Sequence, residues 1–406
     1  MRARPITAGS SPSSASDSPG EGRLMLHFEP AEYAARQAAL DAAVAAEGLD
    51  ALLIFAPESQ FWLTGHDTFG YCFFQCLVAR PGQAPVLLTR SADLRQAQLT
   101  STIGDIRIWK DAADADPARD LAALLADLGL PATARLGVET DTHGLTAQNW
   151  LRLAAALPRA RLEPASGLVS ALRLVKSPAE IACVRRAAEL GDAAYEAALP
   201  LIGPGADEAA ILSALQGEIF ARGGDYPANE VIIGSGAQAL LCRYASGRRR
   251  LDAQDQLTLE WAGVWRHYHA ALMRTVAVGT PRPRHLELHA AAEEALLACE
   301  AALRPGAVMG DVFAAHAGAL DARGLSSHRL NACGYALGAR FSPSWMEREM
   351  FYENAPAAIV PGQVFFLHMI LMDSDSGTAM TLGRTSLVTE AGAEPLSRLP
   401  LALDVR

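Results

Sequence analysis

Residues 256–279, QLTLEWAGVWRHYHAALMRTVAVG, constrain the fold of this chain more than any other segment. Leu257, Leu259 and Trp261 alternate with Thr258, Glu260 and Ala262. This is the two-residue period of a β-strand, whose two sets of side chains face opposite ways. Gly263 and the next few residues can turn the chain. The returning strand then puts His267, His269 and Ala271 on one face, with Tyr268, Ala270 and Leu272 on the other. A hairpin of this kind brings Glu260 and one or two histidines to a shared face. A carboxylate in so apolar a strand needs partners, because burying it unpaired costs several kcal/mol. It is either an ion pair kept for the fold or part of a reacting site, and both readings stand at this point.

The chain has 406 residues, half of them hydrophobic, enough apolar surface for two compact domains. Its net charge of -10 comes from interspersed rather than blocked charges, which speaks against nucleic-acid and anionic-membrane partners. No stretch of about 20 apolar residues is present to span a membrane. The first 24 residues are rich in Ser, Pro and Gly and lack an apolar core segment, so a disordered tail through residue 26 is expected rather than a signal peptide. Met1 and Met25 both remain candidate starts. The six cysteines show no Cys-x-x-Cys and no zinc spacing. They read as buried, reduced thiols of a cytoplasmic protein.

Helical periodicity over 31–47, between Pro30 and Gly48, precedes an apolar strand at 51–55. Strands follow at 73–79 and 86–89 around the Pro81-Gly82 turn, then a helix at 117–128 and a strand at 135–139. This alternation predicts an α/β domain over 27–165. From 166 to 406 the pattern changes. A long helix at 178–197 has Ser177 as its N-cap, Pro178 in its first position and Glu180 in its first turn. A second helix runs over 206–222, and two more over 283–303 and 309–323. Strands are expected at 230–233, 239–244, 256–262, 268–278, 364–372 and 379–389. Helices outside a curved, largely antiparallel sheet make this second domain α+β.

Three further features bear on chemistry. His368 is the strongly polar residue of the apolar run VFFLHMILM (364–372), where a satisfied core histidine is the commoner outcome. In NACGYALG (331–338), Gly334 and Gly338 allow tight backbone geometry around Tyr335. In LLCRYASGRRR (240–250), Arg243 is expected inside a strand end, while Arg248, Arg249 and Arg250 occupy a turn.

FWLTGHDTFG (61–70), LRLVKSPAEIACVRRAAEL (172–190) and the segments above resemble the creatinase / methionine-aminopeptidase / proline-dipeptidase family from residue 27 onward. The resemblance implies a creatinase-like amino-terminal domain and a carboxy-terminal domain of the pita-bread fold, commonly in a homodimer. Peptidases of that family hold two metal ions with two Asp, one His and two Glu. Those positions fall here at Glu260, Ala271, Tyr335, His368 and at or beside Gly383. No acidic residue lies between Trp261 and Thr275 or between Ser376 and Thr389, so a shift of register restores nothing. A dinuclear centre needs several carboxylates, and no metal or other cofactor is expected.

LEWAGVWRHYHAALMRT (259–275), NACGYALG, PSWMER (343–348) and VPGQVFFLHM (360–369) are similar to the metal-free ectoine hydrolases of the family. There the Glu matching Glu260 is implicated in covalent catalysis. The resemblance makes Glu260, His269 and His368 the catalytic candidates, and Arg243, His267, Tyr335, Trp345 and Arg384 the substrate-binding ones. Two departures are visible. Metal-free relatives carry a His at Arg243, and ectoine hydrolases carry carboxylates on the last strand, where this chain has Thr381, Gly383 and Arg384. Arginines bind carboxylates, so a more anionic small-molecule substrate is expected. A metal-free C–N hydrolase is the leading reading. A proline-specific metallopeptidase and a non-catalytic binding protein on the same scaffold are the alternatives.

Overall fold

A computed structural model describes residues 25–243 and 248–406 of the chain. Residues 1–24 of the tail expected through residue 26, and the end of the expected strand at Tyr244, lie outside the described residues.

The amino-terminal part runs α1 (Pro30–Ala46), β1 (Ala51–Ile54), α2 (Pro57–Thr64), β2 (Cys76–Ala79), β3 (Val86–Arg90), α3 (Leu94–Thr100), β4 (Asp105–Trp109), α4 (Pro117–Asp127), β5 (Arg135–Val138), α5 (Ala147–Ala156), β6 (Arg161–Pro164) and α6 (Gly167–Leu174). Its mixed six-stranded sheet has the order β4-β3-β2-β1-β5-β6. Leu52 and Ile54 face a layer containing Leu40, Trp62 and Val169, while Ala51 and Leu53 face Leu121, Leu124 and Leu153. A strand buried on both faces reads as continuously apolar, as ALLI does. The change of character expected at 166 falls just before α6, whose Val169 packs into the first domain.

The carboxy-terminal part continues with α7 (Pro178–Ala198), α8 (Glu208–Ala221), β7 (Ile232–Ser235), β8 (Asp255–Trp265), β9 (Tyr268–Val278), α9 (Pro283–Ala302), α10 (Met309–Asp321), β10 (Ala332–Ala336), β11 (Met350–Tyr352), β12 (Val364–Asp373), β13 (Thr378–Thr389), β14 (Gly392–Pro395) and β15 (Asp404–Val405). The sheet path is β11-β10-β12-β13-β9-β8-β7, with β14 on β13 and β15 on β9. Helices cover one face: Ala194 and Ile211 meet Trp261 and Leu272, and Leu288, Leu296 and Val312 meet Leu367 and Leu382. The other face carries the site. α7 starts at the expected N-cap, Ser177, and Ser177 and Glu180 form a capping box, each bonding the other's backbone N–H. Among the described residues no helix is long and apolar enough to cross a membrane.

Three local expectations are corrected. Gly263 does not turn the chain; it lies inside β8, where a Cβ would stand 1.9 Å from the Ala187 carbonyl of α7. The turn is Arg266-His267, both left-handed (φ 52° and 63°), as a two-residue hairpin between right-twisted strands requires. The strand expected from 239 is instead a short turn of 3₁₀ helix over Gly236–Leu240, which leaves Arg243 exposed in a turn. Cys72 is also exposed rather than buried.

The domains interlock through polar contacts. Glu180 Oε1 accepts from Trp62 Nε1 of the first domain (3.0 Å) and from the Tyr268 hydroxyl of β9 (2.6 Å). Arg340 pairs with Glu58, and Arg173 with Glu347.

Candidate active site

Strand register builds the site. Glu260 on β8 lies opposite Met273 on β9, Met273 opposite Gly383 on β13, and Gly383 opposite His368 on β12. Residues directly opposite in antiparallel strands share a face, so Glu260 and His368 lie in one transverse row with Met273 and Gly383 between them. The adjoining row is Thr258, Thr275 and Thr381, with Thr275 Oγ1 and Thr381 Oγ1 3.1 Å apart.

Glu260 is 8% exposed among apolar side chains, and burial pushes its carboxyl up to about 7, against the lowering charge of Arg243 and a hydrogen bond from Tyr335. The Tyr335 hydroxyl donates to Glu260 Oε1 at 3.4 Å and accepts from Trp345 Nε1 at 2.8 Å. A donor chain thus points at the carboxylate. The Tyr335 ring stands 5.6 Å from that of His368. Burial lowers His368 to about 3, which makes it neutral, and its Nδ1 has no partner among the described residues.

Glu260, His368, Tyr335 and Trp345 are therefore gathered in one place, although Trp345 is 1% exposed and holds Tyr335 rather than offering a binding surface. His269 shares the face of Glu260 but lies four residues along the hairpin, about 13 Å away at the usual strand rise. Its Nε2 accepts from the Ala228 N–H at 2.9 Å, its ring lies 6.1 Å from Trp345, and burial lowers it to about 3. His267 does not join this face as expected. The turn carries its ring onto Phe341 (4.2 Å between centroids) and its Nε2 to 2.9 Å from Asp67, which also meets His27 at 2.8 Å.

Arg384 is a correction as well. It falls out of parity with Thr381 and Gly383, so its side chain projects to the helix side, where Nε and Nη2 each bond Glu300 of α9 at 2.7 Å. Arg243 lines a cleft of about 500 Å³ with Asn229, Glu230 and Ile232. A neighbouring cleft of about 590 Å³, lined by His267 and Phe341, shares Tyr226, Pro227, Ala228 and Ser342 with it. Glu260 lines neither cleft. The three threonines and the Ala228 contact escaped sequence reasoning, since threonine is common in strands and a backbone N–H leaves no signature.

The five positions that the resemblance assigns to metal ligands do not fit a dinuclear centre. Ala271 and Gly383 offer no donor, and a Cβ at Gly383 would lie 2.7 Å from the Leu367 carbonyl and 2.9 Å from the Phe366 ring. Among the described residues no three His, Cys, Asp or Glu ligand atoms gather around Glu260; the group that does gather, Cys299, His316 and Cys333, is elsewhere.

Residues 182–390 match metallopeptidase family M24, and residues 36–175 match the creatinase/prolidase N-terminal domain. The chain is 28% identical to an ectoine hydrolase of Halomonas elongata, over 95% of this chain and 100% of that protein. It is 29% identical to an uncharacterized hydrolase/peptidase of Sinorhizobium fredii, over 94% and 99%. The dipeptidase PepE of Mycobacterium ulcerans superposes with a TM-score of 0.80 at 26% identity, covering 93% of this chain and 99% of that one.

Proposed function

Because the chain belongs to metallopeptidase family M24, with a creatinase/prolidase N-terminal domain, we propose that this hydrolase of the family cleaves a non-peptide C–N bond in a small molecule, without metal, using Glu260. The observation that carries the reading is the solitary Glu260 carboxylate, buried, raised to about 7 and facing the Tyr335–Trp345 donor chain, at positions that supply no dinuclear ligand set.

A carboxylate near neutrality serves two related steps. It adds to the electrophilic carbon of an amidinium and forms a C–O bond that water later hydrolyses. Alternatively it takes a proton from a water that adds to the same carbon. In both, the C–N bond breaks as the leaving nitrogen gains a proton, from solvent in the covalent route and from the Glu260 carboxyl that has just deprotonated the water in the other. His368, neutral and with a free Nδ1, is the group we assign to carrying that proton. Tyr335 orients the carboxylate. The similarity to an ectoine hydrolase supports a cyclic amidine as substrate class. Arg243, on the cleft wall, is suited to an anionic substituent of that substrate. Arg384 is spent on Glu300 and drops out of the binding set.

The similarity to the dipeptidase PepE favours a second reading, a metal-dependent dipeptidase, for which the positions around Glu260 lack the ligands. A substrate panel separates the two: ectoine, hydroxyectoine, creatine-like amidines and Xaa-Pro dipeptides, each with chelator and with added manganese or cobalt. Turnover of an amidine in chelator supports the proposal. Turnover confined to Xaa-Pro dipeptides with added metal overturns it.

A further inference from the structure

A second cluster of reactive side chains lies on the helix-covered side of the same sheet. Cys299 of α9, His316 of α10 and Cys333 of β10 place one potential ligand atom each within 4.8 Å of the others. We propose that these three residues form a structural site for one borderline-to-soft divalent cation, zinc in the first instance, clipping α9 and α10 to β10.

Leu296, Val312, Leu320, Phe365 and Leu367 surround the site in the same core, with the Arg329–Asp321 ion pair close enough to act on His316. An imidazole in such a place is costly unless its nitrogens are used. His316 is 1% exposed, and its Nε2 has no hydrogen-bond partner among the described residues. Its Nδ1 faces Met369 Sδ at 3.2 Å, a weak acceptor and a further soft donor.

The donor set selects the metal. Two sulfurs and one imidazole suit zinc; calcium and magnesium require oxygen ligands. An ion at about 2.0–2.3 Å from each donor needs them roughly 3.5 Å apart, so side-chain shifts of about 1 Å close the site. Charge also balances. Each thiol releases its proton to solvent as its sulfur–metal bond forms, and two thiolates neutralise a dication, leaving no net charge in the core. Three consecutive elements supply one ligand each, 17 residues apart in sequence, a spacing that resembles no zinc motif. Met369 next to the cluster adjoins His368 on β12, which ties the clip to the strand that bears the proposed proton carrier.

Because the cluster is buried, the metal must enter as the chain folds. The test expresses the full chain in medium supplemented with zinc, and separately with cobalt, and measures metal content and the thiolate-to-cobalt charge-transfer absorption after removal of loosely bound ions. About one ion per chain and a thiolate–cobalt band are expected, both lost in Cys299→Ser/Cys333→Ser and weakened in the near-isosteric His316→Gln. A wild-type protein without the band overturns the site, as does zinc retained equally by the double variant. The wild-type spectrum decides the matter even where the double variant fails to fold. None of these outcomes bears on Glu260, which sits on the opposite face.

Discussion

At the scale of single residues, Glu260 is the group proposed to carry the chemistry, and it has a stability signature. Its carboxyl is raised to about 7 in the folded chain, mainly by burial. Between the ordinary glutamate range and pH 7 the folded state keeps a proton that the unfolded state has lost, so this group makes stability fall as pH rises through that window. Glu260→Gln removes the penalty. The variant is expected to be more stable than wild type at pH 8, by on the order of 3 kcal/mol at most, and nearly equal to it at pH 4. Denaturant unfolding at the two pH values checks this; an equal difference at both would place the carboxyl in an ordinary environment. Glu260 was legible in the sequence because it interrupts an apolar alternation. Tyr335 stood out only by its flanking glycines and Trp345 only through resemblance, since the hydrogen bonds that join them to Glu260 depend on a loop fold that no period encodes. Arg384 was misplaced although the two-residue period already separates it from Thr381 and Gly383.

At the scale of elements, most strands and helices follow from period and punctuation, and the failures share a cause. Gly263 looks like a turn residue, but its missing side chain serves the approach of α7, where Trp261 Nε1 also donates to the Gly191 carbonyl at 2.9 Å. Helix contact and turn formation both select glycine, and the sequence does not distinguish them. Gly263→Ala is accordingly expected to cost about 3 kcal/mol or more, read from a urea melt; a loss within a few tenths would mean that α7 yields freely. The Arg384–Glu300 pair ties β13 to α9 with both side chains largely buried. Arg384→Ala should lower stability by about 3 kcal/mol and leave KM unchanged. A raised KM with unaltered stability would return Arg384 to the substrate.

At the scale of the whole molecule, the two domains meet at Asp67. Asp67 of the first domain sits between His27 and His267; burial opposes its charge, and the two imidazoles nonetheless hold its carboxyl well below the usual range. This junction joins residues about 200 positions apart, and nothing local announces it, which is why His267 was assigned to the sheet face instead. The class of each domain was legible, while their contact was not. The central claim is that the assembled chain hydrolyses its substrate through Glu260 without a dinuclear metal centre. The most direct measurement is turnover by wild type and Glu260→Gln in chelator, on whichever amidine the substrate panel identifies. Wild-type turnover should persist in chelator, and the Gln variant, folded, should lose it by about three orders of magnitude or more. Turnover that depends on added manganese or cobalt, or that survives in Glu260→Gln, would contradict the claim.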